Sequence, residues 1–359
     1  MINFTFIYIL YLLINLFAHF FIKVPKNMQV LILVFPLFIL TSSRNITVGN
    51  DTFNYYYAFN TMSKDFFDFS TSRFELGYIF FNKIVQFIGL EYIHFQVLIS
   101  ILFYISFIKL LKKYSINIPM SITIFISMHL FFQTMNLSRQ FMAVSILFLS
   151  FHYLVNKKVF KYFISVVIAS FFHSTAWVFF LVYPFSKMKF SKKNLVLIVV
   201  SFMFIYLRFD SLLEIYFLIS NKYSSYTESI YFETEGNIAT YFNLLMYILI
   251  FIWIILIDIK NKELTIENKR ILNTMKSIVF LSVFFGFLAL KAPLFGRFNI
   301  YFTIFYVIIL PFIIGQIEKR KLREVMYFIT LIIFSCYFLI VVIYRPYWTG
   351  VIPYEFYTK

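Results

Sequence analysis

Apolar runs of near-spanning length recur along almost the whole chain, and stretches such as Phe4–Ile22, Tyr241–Ile257 and Val325–Ile343 hold no formal charge. Inside hydrocarbon every backbone N–H and C=O must find its partner within the protein, so only helices or closed barrels can cross a bilayer. The period-two alternation of a barrel strand is absent. The chain therefore reads as an all-α polytopic membrane protein, with residues 1–359 forming one integral membrane domain. Composition agrees, since only 13% of residues are charged and 61% are hydrophobic, against about 25% charged in a soluble domain.

The basic residues set the expected orientation. A net charge of +16 would point to nucleic acid in a soluble protein. Here the cations gather in short loops between apolar runs, at Lys109, Lys112 and Lys113, at Lys157, Lys158 and Lys161, and in EKRKLRE over 318–324. Loops of that kind stay cytoplasmic. The pattern predicts about ten full spans with both termini outside. Besides the three named, these are Met28–Leu40, Tyr92–Leu111, Met120–Met135, Ser138–Val155, Leu195–Arg208, Met275–Leu290 and Phe298–Ile314. The first run lacks a basic lead-in and a small-residue cleavage site, so it is expected to stay as a span. The two large outer loops are 41–75 and 209–239.

Two segments do not fit a simple crossing. Leu76–Leu90 is short and carries Asn82, Lys83 and Gln86, and is read as an interfacial or re-entrant helix. Tyr162–Ser186 is interrupted by His173-Ser174-Thr175 and flanked by lysines on both sides. A hairpin of two half-helices turning near His173 keeps both lysine clusters inside; an ordinary tilted span is the alternative.

Several chemistries are excluded. There is no glycine-rich phosphate loop ending in Lys-Ser/Thr, no His-Glu-x-x-His and no Gly-x-Ser-x-Gly. The five histidines lack metal-ligand spacing, and Cys336 is the single cysteine. No cofactor, no metal and no nucleic-acid partner is expected.

The polar stretch RNITVGNDTFNYYY, residues 44–57, stands out against this background. In the expected topology Arg44, Asp51, Arg73, Glu75, Arg139, Lys291, Arg297 and Arg345 project to the outer face, and His173 reaches it from below. Arginine binds phosphate oxygens through paired hydrogen bonds. Tyrosine offers a flat amphipathic surface to a sugar ring. Together these residue types fit a lipid-linked, phosphorylated glycan. Blander readings stand beside this one: Arg44, Arg73 and Arg345 fit interfacial anchoring, Asp51 fits a turn, and Glu75 fits a simple pair with Arg73.

Four segments, VGNDTFNYYYAF, FELGYIFFNKIV, FFQTMNLSRQFMAVSILFLS and IASFFHSTAWVFFLVYPF, follow one another between Val48 and Phe185. They match a Val-Gly-x-Asp-Thr-x-x-Tyr loop, a Phe-Glu-x-Gly-Tyr segment, an Arg-Gln-x-x-Ala helix start and a Phe-His-x-x-Ala break. In this ordered set the chain resembles the EpsG-like family of Wzy-type polysaccharide polymerases, which serve O-antigen, capsule and exopolysaccharide assembly. The helix start reads Leu-Ser-Arg-Gln where members often read Leu-Arg-Gln. The resemblance implies a glycosyltransferase-C-like fold in a bacterial cytoplasmic membrane. It also implies an undecaprenyl-diphosphate-linked oligosaccharide as substrate, with a flippase and a chain-length regulator as partners in the bilayer. No nucleotide sugar is needed.

Such chemistry needs cations for the departing diphosphate and a base for the acceptor hydroxyl. Arg44, Arg139 and Arg297 are the candidates for the first task, with Arg73 and Gln140 also at the substrate. For the second, Asp51 comes first, then His173 and Glu75. Tyr55 and Tyr56 are the candidate sugar-stacking residues. A lipid-linked-glycan flippase and a ligase that attaches finished glycan are the other function classes open to this sequence.

Overall fold

Apolar side chains on every face leave a helix no side to expose to water, and that is the pattern of most helices here. The computed structural model describes residues 4–20, 24–63, 65, 66, 68, 74–211, 238–260 and 264–358. Among the described residues the secondary structure is helical, with no strand beyond one isolated bridge between Arg44 and Phe356. Contacts gather the chain into two compact units. Unit 1 holds 1–153, 157–177 and 306–359, and unit 2 holds 154–156 and 178–305.

In unit 1 the helices run α1 Phe4–Phe20, α2 Lys26–Ser42, α3 Thr52–Thr61, α4 Leu76–Phe87, α5 Tyr92–Tyr114, α6 Ile118–Ser127, α7 Leu130–Asn136, α8 Ser138–Val155 and α9 Val159–Ser170. Helix α6 is the hub. Every residue of it is buried, and α1 and α2 pack on it. Its polar groups are satisfied inside: Thr123 donates to the Pro119 carbonyl at 3.0 Å, and Asn15 on α1 donates to Thr123 at 3.0 Å. Hydroxyls paired this way do not forfeit desolvation energy in an apolar interior.

A 3-10 helix, Ser174–Leu181, follows α9. Unit 2 continues through α10 Val182–Lys187, α11 Lys192–Leu207, α12 Ile238–Lys260, α13 Ile266–Leu288, a 3-10 helix Pro293–Asn299 and α14 Ile300–Thr303. Helix α13 is central here, packed by α10, α12 and the second 3-10 helix. Two more helices, α15 Tyr306–Gly315 and α16 Arg320–Tyr344, return to unit 1 and pack on α6.

Among the described residues four helices are long and apolar enough to cross a membrane: α5, α12, α13 and α16. The number rises to six if two bent pairs each count as one span. That is fewer than the expected ten or so, and the physical reason is visible in the breaks. The run Met120–Met135 is not one helix: His129 adopts a left-handed backbone, φ 57°, and α6 and α7 meet at a 61° bend. The run Phe298–Ile314 is likewise not one helix but is divided between the 3-10 helix, α14 and α15. Helices α1, α2 and α9, of 17, 17 and 12 residues, are shorter, and at 1.5 Å per residue the first two reach only about 25 Å. Helix α13 also begins earlier than Met275, at Ile266. Most of the second outer loop, 212–237, lies outside the described residues.

The expected break at His173 is present. Helix α9 ends at Ser170, and the chain turns before the 3-10 helix begins at Ser174. The segment over Leu76–Leu90 forms the 12-residue α4, too short to span alone, with Tyr78, Ile79, Asn82, Lys83 and Val85 on its buried side.

Candidate active site

Three of the four sequence segments meet at one carboxylate. Glu75 sits at the N-terminal cap of α4, in extended backbone. Its Oε2 lies 2.5 Å from Arg139 Nη1, at the start of α8. Its Oε1 accepts from His173 Nδ1 at 3.1 Å and from the Ser174 backbone N–H at 3.0 Å. The three side chains are 16%, 22% and 22% exposed. They are enclosed enough to be held, yet open enough to meet a ligand.

The approach that makes this possible depends on Gly77. Its N–H donates to the Phe171 carbonyl at 2.8 Å. A Cβ there would stand 2.7 Å from that oxygen. Only glycine lets the first turn of α4 press against the end of α9, and that contact brings Glu75 beside His173. The loop 48–52 is locked in a similar way. Gly49 has φ +97°, a conformation side chains rarely adopt, and a Cβ would fall 2.7 Å from the Met135 carbonyl. Thr52 donates to the Val48 carbonyl at 2.6 Å and sits 3.1 Å from that of Met135.

Burial alone would raise the Glu75 carboxyl. The His173 hydrogen bond, the Arg139 charge and the Ser174 N–H outweigh it and bring the group down to about 2. Glu75 is therefore a carboxylate at neutral pH and only accepts. It follows that His173 Nδ1 carries the proton in that bond, and the other ring nitrogen, Nε2, has no partner among the described residues. In a neutral imidazole that nitrogen is the basic one.

Aromatic rings cradle the cation. The Arg139 guanidinium carbon lies 4.6 Å from the Phe74 ring centre and 5.8 Å from that of Tyr55. Such stacking favours a partly desolvated cation by about 0.5–2 kcal/mol. Arg139, Asp51 and Glu75 all lie within electrostatic reach of the Tyr55 hydroxyl, so Asp51 belongs to the same neighbourhood. Its backbone N–H donates to Asn136 Oδ1 at 2.9 Å.

The other sequence candidates part company. Arg44 is 2% exposed. Its Nη1 donates to the Thr41 carbonyl, while Gln96 donates to the Arg44 carbonyl at 3.0 Å. Burial pushes the guanidinium down from its ordinary value. As built, Arg44 supports the loop from beneath and offers no surface to a phosphate. Tyr55 is buried and Tyr56 is half-buried. Gln140 is buried on α8. Arg297 is exposed in the 3-10 helix of unit 2. Arg73 lies outside the described residues, so its pairing with Glu75 does too. Phe74 and the Ser174 N–H were missed as site groups, although each adjoins a residue that was singled out.

The C-terminal tail completes the enclosure of loop 43–52. The Asn45 N–H donates to the Glu355 carbonyl at 2.9 Å, Gly49 to Gly350 at 2.8 Å and Tyr357 to Ser43 at 2.8 Å. Among the described residues no cluster of His, Cys, Asp or Glu is arranged to hold a metal ion.

A family model described as the EpsG family matches residues 27–356. The chain belongs to the EpsG family. No curated protein and no solved structure matches it. The EpsG match runs past the four N-terminal segments to the C-terminal tail, so both compact units belong to the family's extent. Several apolar helices together with EpsG membership make this a multi-pass membrane protein of polysaccharide-polymerase type.

Proposed function

We propose that this chain polymerises glycan by joining undecaprenyl-diphosphate-linked repeat units at the outer face of a bacterial cytoplasmic membrane. The observation that carries this reading is the Glu75 carboxylate held between Arg139 and His173. An acceptor hydroxyl attacks the anomeric carbon of the donor. The bond from that carbon to the diphosphate oxygen breaks, and the lipid diphosphate leaves with the electron pair. The hydroxyl proton passes to His173 Nε2.

In this scheme Glu75 is a positioning residue. A carboxylate held near 2 is a weak base, but it orients the imidazole and stabilises the imidazolium as it forms. Arg139 supplies positive charge beside the developing diphosphate. Asp51 is placed at the acceptor sugar, and Arg297 is a separate candidate for diphosphate contact.

The test is made in cells lacking the chromosomal copy. Deletion should leave single repeat units on the surface; loss of all glycan would point to a flippase, and unattached long chains to a ligase. Re-expressed His173→Ala and Arg139→Ala proteins, present at normal level, should fail to restore long chains. Normal chains from both would end this reading.

A further inference from the structure

A second cleft opens in unit 1, away from the Glu75 carboxylate. It encloses about 510 Å³, within the roughly 300–1,000 Å³ usual for ligand sites. Its wall mixes the rings of Tyr56, Phe87 and Tyr92 with the polar groups of Asn60, Gln86 and Glu91. The Tyr56 and Tyr92 rings meet edge to face, with centres 5.5 Å apart. Phe87 is 80% exposed although it is one of the largest apolar residues of α4.

We propose that this cleft binds the glycan itself, as a short run of sugar units distant from the diphosphate. Rings flanked by amides and a carboxylate suit a sugar, whose faces are apolar and whose rim is hydroxyl. An isoprenoid tail would cover the amide oxygens of Asn60 and Gln86, whose N–H groups already donate to the Tyr56 and Phe59 carbonyls, and the Glu91 carboxylate, which accepts the His94 N–H at the start of α5. Covering acceptors with hydrocarbon costs energy that a sugar hydroxyl would offset. A phosphate is disfavoured too: Lys83 donates its ammonium to the Ser63 carbonyl at 3.1 Å and to the Asp65 carbonyl, and Glu91 adds negative charge.

The placement ties the cleft to the reaction. Neighbouring residues on a helix point about 100° apart. On α3, Tyr55 lies beside Arg139 and the next residue, Tyr56, lines the cleft. One helix therefore contributes a side chain to each place. This inference rests on the polymerase reading, but its test needs neither turnover nor a lipid diphosphate, so the two can fail separately.

The purified full chain in lipid nanodiscs is titrated with a lipid-free oligosaccharide of a few repeat units, released by mild acid from the surface glycan of the source cells. Binding is read by saturation-transfer NMR. Wild type should bind, and Tyr56→Ala and Phe87→Ser should each weaken binding about tenfold, or 1.4 kcal/mol. Tyr56→Phe, which keeps the ring, should stay within about twofold. Phe87 is so exposed that its loss leaves the core intact. The proposal is overturned if wild type does not bind, or if both ring-removing variants bind as wild type does. It is equally overturned if undecaprenyl phosphate displaces the sugar and its own binding falls in Tyr56→Ala.

Discussion

Each compact unit holds a carboxylate gripped by two basic side chains, and the two grips differ in kind. In unit 1 Glu75 takes Arg139 and His173 where helices start or break. In unit 2 Asp258, in the last turn of α12, takes Lys269 in the first turn of α13 and Lys276 further along it, each at 2.5 Å. Lys276 is 5% exposed on its side chain and Lys269 is 43% exposed. At a helix end, backbone N–H groups remain free to join, as Ser174 does. Around Asp258 the partners among the described residues are the two lysine side chains alone. Charges at breaks can therefore face a ligand, whereas charges along paired helices hold the pair together.

The comparison predicts opposite outcomes for substitution. Arg139→Ala or Glu75→Gln should reduce long-chain polymer about 100-fold or more, in line with removing a preorganised charge from a reacting site, as gel analysis of surface glycan would read. Replacing the unit 2 pair together, Asp258→Leu with Lys276→Met, should leave polymer near wild type, because a buried ion pair exchanged for apolar groups is often neutral. Loss of polymer from that double variant would erase the distinction.

Lys276→Met alone leaves Asp258 with Lys269 as its remaining partner and should lower the unfolding free energy by about 1–3 kcal/mol, measured as a fall in Tm in detergent. Gly77→Ala should cost about 1–3 kcal/mol through the clash with the Phe171 carbonyl. It should also cut polymer formation more than that loss of stability explains, since it moves Glu75 away from His173.

A pH titration sharpens the contrast further. The Glu75 carboxyl is held below its ordinary 4.5, at about 2. Its stabilising effect is therefore complete above about pH 4.5 and is lost as pH falls toward 2. The Glu75 contribution to the stability gap between wild type and Glu75→Gln should therefore fade as pH falls from about 4.5 toward 2. The smallest effect concerns the tail. Tyr354 donates to the Leu40 carbonyl at 2.7 Å, and Tyr354→Phe should cost about 1 kcal/mol without altering chain length.

Much of the site was legible because its pieces are local. The polar triplet at His173 inside a greasy run announced a break. Gly49 and Gly77 lie within the segments singled out, but the close backbone approaches they permit, to Met135 and Phe171, were visible only in the structure. The pairing itself was not legible, since Glu75 and His173 stand 98 residues apart. The sequence suggested Arg73 as a partner of Glu75; Arg73 lies outside the described residues, and the described structure brings Arg139 to that carboxylate. Arg44 looked like a surface cation because it lies in a polar loop, yet loop and tail close over it.

Composition and the spacing of charges by themselves determined that this chain is helical and membrane-embedded, because an apolar solvent leaves a backbone few alternatives. The ordered motifs likewise determined its family. Which cation meets which carboxylate, where the apolar runs bend, and how Tyr55 and Tyr56 divide between two sites were decided only by tertiary structure. Those outcomes depend on which distant backbones come within a few ångströms of one another, and hydropathy carries no record of that distance.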